Sequence, residues 1–257
     1  VEESDSIDAL AFQVELAAKR GDAAGVDAAM KPLQAKHAGK LPTLLTAGHV
    51  ALSRKQYAQA VGHYQAAFKL EPAPQVAALV AQAHLASGQT DKALAVLADS
   101  ARRWPTAANA LRALAQVQAA AGKPVDAKDT LAKLVALLPA DADALSAYAQ
   151  LLHRQGDAQG LVLAEKAMKM QPDSAALAGI YGAMLTDKGE TESGLRILRD
   201  ARLREPTDGM IRWNLARALA KAGRKAEARD ELRAALSSAR PPSQGPELAA
   251  LKSELGL

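Results

Sequence analysis

Prolines and glycines recur along this chain with a period of 33 or 34 residues, and this period constrains the fold more than any other feature. Prolines form one series: Pro72, Pro105, Pro139, Pro172 and Pro206. Glycines form a second series: Gly21, Gly88, Gly122, Gly156, Gly189 and Gly223, with Lys55 standing where one glycine is missing. A fixed period of this length is typical of a repeat protein, in which each unit packs mainly on its neighbours.

The two series alternate, so each repeat is divided into two halves of about 17 residues. Each half is long enough for a helix of three to four turns. A glycine can end the first helix in the left-handed conformation, and a proline cannot continue the second helix. Aromatic residues make up only 3% of the chain, which argues against a sheet. The pattern therefore predicts an all-α protein built from pairs of helices.

Three positions within the period carry small residues. The eighth position has Gly48, Ala81, Ala115, Ala149, Gly182 and Ala216. The twentieth has Ala60, Ala93, Ala127, Gly194 and Ala228, and the twenty-seventh has Ala67, Ser100, Ala167, Ala201 and Ala235. Small residues are needed where two helices cross at close range. With its 34-residue period, this pattern resembles the tetratricopeptide repeat, although Val26 and Leu33 make the first repeat degenerate.

The resemblance implies an all-α, right-handed superhelical solenoid of about seven helical hairpins, forming one domain over residues 1–257. The expected repeats are approximately 7–40, 41–73, 74–107, 108–141, 142–174, 175–208 and 209–242. The segment Ser237–Pro246 breaks the pattern, and an amphipathic helix at Glu247–Leu255 is expected to cap the last repeat.

A narrower resemblance concerns the run from Ile211 to Arg229, which is followed by a proline-containing break and the short capping helix. This arrangement is similar to the C-terminal end of bacterial tetratricopeptide lipoproteins associated with exosortase-type systems and exopolysaccharide export. The resemblance implies a periplasmic or envelope location rather than a cytoplasmic one. The absence of cysteine fits either compartment. Because the chain begins with Val1 rather than methionine, we expect a fragment or a processed form, from which any signal peptide or lipid anchor has been removed.

Motifs that carry chemistry are missing from the sequence. It has no Gly-x-x-x-x-Gly-Lys phosphate loop and no Gly-x-Ser-x-Gly elbow, and its five histidines do not pair at i, i+4. We therefore expect no enzymatic activity, no cofactor and no metal site. The net charge of +4 is spread along the chain, so a nucleic-acid partner is not expected. No run of 18 apolar residues occurs, so no transmembrane segment is expected within the sequence.

In the family that the chain resembles, the first helix of each pair lines the concave side of the solenoid. Its second, fifth, sixth, ninth, twelfth and thirteenth positions face inward. The ninth positions are Glu15, His49, Gln82, Gln116, Gln150, Ala183 and Arg217, of which six are polar. The candidate partner-binding residues are Gln82, Asn109, Arg112, Gln116, Gln150, Arg154, Trp213 and Arg217.

These residues suggest a groove lined by amides and arginines, for which two ligands are considered. Arginine can bind a carboxylate through two hydrogen bonds, so an extended and acidic protein or peptide segment is the leading partner. The expected function is then a protein–protein interaction scaffold, in envelope or exopolysaccharide assembly. A polysaccharide is the alternative ligand, bound by a glycan-binding module of an exopolysaccharide export system. Two further alternatives stay open: the polar row is only a solvated helix face, and Trp213 packs within the last repeat.

Overall fold

The computed structural model describes residues 6–257, and in this part of the chain all regular structure is helical. The described residues form fifteen helices: α1 Ile7–Lys19, α2 Ala23–His37, α3 Leu41–Ser53, α4 Tyr57–Leu70, α5 Pro74–Ala86, α6 Thr90–Arg103, α7 Ala108–Ala120, α8 Pro124–Leu137, α9 Ala142–Arg154, α10 Gln159–Met170, α11 Ala175–Lys188, α12 Thr191–Arg204, α13 Gly209–Lys221, α14 Lys225–Leu236 and α15 Pro246–Leu255. The prediction of about seven helical hairpins followed by a capping helix is confirmed.

The turn residues act as the sequence predicts. Every glycine of the predicted series has a positive φ, from 69° at Gly21 to 100° at Gly189, and each lies just after the first helix of a hairpin. Lys55, which replaces a glycine, has a φ of 60° and is the one non-glycine residue with positive φ in the described chain. Each proline of the other series lies two residues beyond the second helix of its pair, as Pro206 does after Arg204.

The chain divides into two compact units, Val1–Leu134 and Val135–Leu257, with the boundary inside α8. The prediction of one continuous domain therefore stays a prediction. In the first unit, buried alanines and leucines form separate small clusters within and between hairpins, such as the one around Leu10, Val14 and Leu33. Packing of this kind is expected in a repeat protein, because each hairpin buries its apolar face against the next one.

The second unit contains the hairpins α9–α10, α11–α12 and α13–α14 and the final helix α15. Helix α15 buries Leu248, Leu251 and Leu255 in a cluster that also contains Leu219 and Leu232 of the last hairpin. This contact confirms the expected cap, which begins one residue earlier than predicted, at Pro246. The first helices α9, α11 and α13 contact one another in sequence, α9 with α11 and α11 with α13. Their neighbouring surfaces form a groove.

Candidate functional site

A groove of about 390 Å³ lies on the first helices of the three hairpins in the second unit. Because α9, α11 and α13 hold equivalent places in successive repeats, residues about 34 apart in sequence become neighbours in this groove. We call it the α9–α13 groove. It is lined by Gln150, His153 and Arg154 of α9, by Ala176, Gly179, Ile180, Ala183, Met184 and Asp187 of α11, and by Asp208, Met210, Ile211, Asn214 and Arg217 in or next to α13.

The middle helix, α11, supplies an apolar floor with small side chains. Gly179 and Ala183 lie at its centre, and the missing side chain of Gly179 leaves space for Ile211, which would lie 3.1 Å from a Cβ atom at that position. Met210 at the edge is 50% exposed although it is a large apolar residue. A concave, mostly apolar surface with few polar groups is the usual character of a ligand-binding site.

Three of the eight predicted binding residues line this groove, namely Gln150, Arg154 and Arg217. Gln150 is half-buried and Arg154 is exposed. Within the described residues, Arg154 takes part in no ion pair, so its guanidinium group is available to a ligand. Asn214, also at an inward-facing position, has its amide nitrogen 3.5 Å from the carbonyl oxygen of Gly179. The groove therefore has amide groups on α9 and α13 and an unpaired arginine at its α9 side.

One end of the groove contains a network of charged groups around Asp187, at the C-terminal end of α11. Arg217 donates a hydrogen bond of 2.8 Å to Asp187 Oδ1, and the Lys221 ammonium group donates one of 3.2 Å to the same oxygen. His153 Nε2 lies 3.3 Å from Asp187 Oδ2. Lys221 also donates to the carbonyl oxygen of Thr186 at 3.2 Å. The network thus connects α9, α11 and α13 through a single carboxylate, which we call the Asp187 network.

The electrostatic surroundings of Asp187 stabilise its ionised form. Burial alone would raise the pKa of this carboxyl, and it is the largest single influence. The charge of Arg217 and the hydrogen bonds from His153 and Lys221 outweigh burial, so the pKa of Asp187 is lowered. Asp187 is therefore an anion at neutral pH, and Arg217 is already paired with a carboxylate of its own chain. Arg217 was predicted to bind a carboxylate of the ligand, but in the structure it is paired with Asp187.

Trp213, which was a candidate partner-binding residue, does not lie on the surface of the groove. Its side chain is 7% exposed and belongs to the core cluster that contains Leu195, Leu198 and Leu219. The Arg217 guanidinium carbon lies 5.9 Å from the centre of the Trp213 ring. Trp213 therefore has a packing role, but it packs between the last two repeats and not within the last one alone, because Leu195 and Leu198 belong to α12. Its ring also contacts Arg217 as a cation–π partner.

The other four predicted residues lie in the first unit. Gln82 is on α5, whereas Asn109, Arg112 and Gln116 are on the neighbouring helix α7. The side chains of Gln82, Asn109 and Gln116 are exposed. Arg112 is half-buried and has an interaction partner within the chain. These residues define a second polar surface, on α5 and α7.

Sequence reasoning missed Asp187, although a signal for it was present. Asp187 is the thirteenth residue of its repeat, equivalent to Arg154 and Lys221 in the repeats before and after it. The thirteenth position was expected to face the groove, but only its basic residues were considered as candidates. An acidic residue between two basic ones at equivalent positions predicts an ion pair across repeats, because those positions are adjacent in a solenoid.

No three His, Asp or Glu side chains come together as metal ligands in residues 6–257. In the same part of the chain, no helix combines the length and the apolar character that are needed to cross a bilayer.

Comparison with known families identifies the repeat. A profile described as "Tetratricopeptide repeat" matches residues 84–151 and 185–255, which together make up more than half of the chain. A second profile with the same description matches residues 45–108. Among the curated proteins, none matches this sequence.

Several solved structures are similar to this one. A tetratricopeptide repeat protein from Parabacteroides merdae ATCC 43184 is 13% identical, with a TM-score of 0.75 over 98% of this chain and 99% of that chain. A thermophilic tetratricopeptide repeat protein from Thermus thermophilus is 25% identical, with a TM-score of 0.58 over 72% of this chain and 100% of its own. YrrB, described as having an unusual peptide-binding site, is 15% identical, with a TM-score of 0.51 over 67% and 90%.

Proposed function

We propose that this chain, which belongs to the tetratricopeptide repeat family, is a non-catalytic scaffold that binds an extended segment of a partner protein in the α9–α13 groove. Proteins of this family generally mediate protein–protein interactions and are generally not catalysts. The observation that carries the proposal is the groove itself, with its apolar floor on α11 and polar groups on α9 and α13. The peptide-binding site named for the similar protein YrrB also supports it.

The groove suits an extended segment because it offers both kinds of contact that such a segment needs. An extended chain exposes its backbone N–H and C=O groups, which require partners when they are removed from water. Gln150 and Asn214 carry amide groups that can donate to and accept from that backbone. Apolar side chains of the partner can pack on Ile180 and Met210, where area removed from water contributes about 25 cal/mol per Å².

An acidic partner is part of the proposal. Arg154 has no ion pair in the described chain. It lies beside the Asp187 network, in which the two positive charges of Arg217 and Lys221 exceed the one negative charge of Asp187. The charge at this end of the groove is therefore positive. Complementary charge raises the association rate and selects among partners. The surface formed by Gln82, Asn109, Arg112 and Gln116 is proposed as a second contact area in the first unit.

The cellular role proposed here is assembly of the bacterial envelope or of exopolysaccharide, and it rests on the resemblance of residues 211–229 stated above. The alternative is a glycan-binding module of an exopolysaccharide export system. Exposed amides such as Gln82 and Gln116 favour it, because sugar hydroxyls pair well with amide groups.

The test compares ligand classes on the same protein. The purified chain is offered a phage-displayed library of random peptides and, separately, an oligosaccharide array. Selection of peptides that bind with a measurable Kd supports the scaffold proposal. Retention of oligosaccharide alone, lost in Gln116→Ala, would favour the glycan alternative.

A matched pair of variants tests the position of the site. Met210→Glu introduces a charge at an exposed apolar position in the groove, and Leu203→Glu does the same on α12, where Leu203 is 70% exposed. Selected peptides should bind Leu203→Glu as they bind the unaltered protein, and they should bind Met210→Glu at least about tenfold more weakly. Equal weakening by both variants would show that the α9–α13 groove is not the site.

A further inference from the structure

The Asp187 network places an anion of the protein itself at the cationic end of the proposed binding groove. Asp187 accepts hydrogen bonds from Arg217 at 2.8 Å and from Lys221 at 3.2 Å, and His153 lies 3.3 Å away. Arg217 and Lys221 are the groups with which an acidic ligand would pair. Their charges are therefore partly satisfied before any partner arrives.

We propose that Asp187 is an internal competitor, whose carboxylate occupies the place that an acidic side chain of the partner takes on binding. This inference rests on the proposed binding of an acidic segment in the α9–α13 groove, and it adds how that binding is selected. Asp187 would suppress binding of segments with few carboxylates, because their interaction with Arg217 and Lys221 is too weak to displace the Asp187 carboxylate. Segments with several carboxylates would bind, since they can engage Arg154 as well as the network.

The exposure of the groups allows this competition. The side chains of Asp187, Arg217 and His153 are 27%, 26% and 28% exposed, and that of Lys221 is 46% exposed. An anion from outside can therefore approach the network without unfolding the hairpins. His153 and Asp187 also line an adjoining cavity of about 450 Å³ beside α10, which gives the Asp187 carboxylate space on its other side.

The charge balance points the same way. Arg217 and Lys221 carry two permanent positive charges, and Asp187 cancels one of them. The remaining positive charge, together with that of Arg154, attracts an acidic segment even while Asp187 is paired. Like-charge repulsion between Asp187 and the incoming carboxylate opposes this attraction. Removing only the charge of Asp187 should therefore strengthen the binding of acidic ligands and leave neutral ones unaffected.

The experiment measures the affinity of two labelled peptides by fluorescence anisotropy. One is the most enriched acidic peptide from the phage selection, and the other carries Gln and Asn in place of its Glu and Asp residues. Both are titrated onto the unaltered protein, Asp187→Asn and Asp200→Asn. Asp200 is a matched control because it also forms an ion pair within the second unit, with Arg204 at 2.7 Å. It lies on α12, which does not line the groove.

We expect Asp187→Asn to bind the acidic peptide about five- to tenfold more tightly than the unaltered protein does, at low ionic strength. Asp200→Asn and the neutral peptide should show no comparable gain. If the unaltered protein binds the acidic peptide and Asp187→Asn binds it equally or more weakly, the competitor role is refuted while the proposed function stands. If no protein binds any selected peptide, the proposed function fails, and this inference fails with it.

If Asp187→Asn folds poorly, the proposal can be tested on the unaltered protein by measuring the pKa of Asp187 with and without the peptide. If the peptide takes over Arg217 and Lys221, the Asp187 carboxyl loses the neighbours that lower its pKa. Its pKa, followed by the ¹³C NMR shift of the carboxyl carbon, should then rise when the acidic peptide is bound. An unchanged pKa with the groove occupied would contradict displacement of Asp187.

Discussion

Replacing Gly194 by alanine should destabilise the second unit, although alanine is the better helix former. Gly194 lies in α12 where this helix crosses α11. A Cβ atom there would lie 2.7 Å from the carbonyl oxygen of Gly182 and 3.1 Å from the backbone nitrogen of Thr186. The Thr186 hydroxyl oxygen would lie closer still, and it is held in place by its hydrogen bond to the carbonyl oxygen of Gly182. The other two neighbours are backbone atoms of a packed helix, so they cannot rotate away as a side chain would. The two helices would have to separate.

The expected magnitude is the difference between two opposing contributions. Glycine to alanine in a helix interior gains about 1 kcal/mol. Overpacking a close contact costs about 1 to 3 kcal/mol, and rigid backbone neighbours place this site toward the upper part of that range. The net change is a loss of about 1 to 2 kcal/mol in the free energy of unfolding.

The control is Gly62→Ala in α4. Gly62 also lies in a helix interior, but a Cβ atom there would have no neighbour within 4 Å. Only the helix propensity changes, so this variant should be more stable by about 0.5 to 1 kcal/mol.

Urea unfolding followed by far-ultraviolet circular dichroism measures both changes. The chain has two tryptophans, so a Trp104→Phe background leaves Trp213 as the single one. Because Trp213 belongs to the second unit, its fluorescence then reports on the unfolding of that unit. If Gly194→Ala stabilises the protein as much as Gly62→Ala does, the close crossing of α11 and α12 does not limit side-chain size, and the reasoning is refuted.

Three further predictions concern stability. Lys55→Gly should raise the urea midpoint, by about 1 kcal/mol in unfolding free energy, since Lys55 has a φ of 60° in a region that favours glycine. Leu198→Ala should cost about 2 to 5 kcal/mol in the same assay, because Leu198 is fully buried. The lowered pKa of Asp187 contributes stability above the unfolded-state value of about 3.9, and this contribution is lost as the pH falls through the folded-state value. Asp187→Asn should therefore flatten the acid end of the stability profile below about pH 4, and a profile unchanged from that of the unaltered protein would contradict this.

Much of the architecture could be predicted from the sequence, because the turn residues act locally. A glycine at the end of a helix and a proline after the next one determine where each helix ends, whatever surrounds them. Lys55 shows how strongly the repeat imposes its conformation. It adopts a positive φ where the other repeats have glycine. The position in the period therefore decides the backbone conformation there, and the residue type decides its energetic cost.

The fifth repeat shows where counting positions fails. This repeat is one residue short between Gly156 and Pro172, so its twentieth position is not the one that faces the crossing helix. Gly160, one residue earlier, takes that place. A Cβ atom there would lie 2.7 Å from the carbonyl oxygen of Ala149 and from the backbone nitrogen of His153. The need for a small residue could be predicted, whereas its position depended on how α9 and α10 pack.

The sequence by itself determined the period, the helix pairs and the helix faces that carry Gln150, Arg154 and Arg217, because these follow from local conformation and from equivalence between repeats. Tertiary structure alone decided which of these groups are available to a ligand. Asp187 pairs with Arg217 across 30 residues of chain, and Trp213 turns into the core rather than into the groove. Charge pairing and burial depend on distances of a few ångströms between side chains on different helices, and only the packing of the hairpins sets those distances.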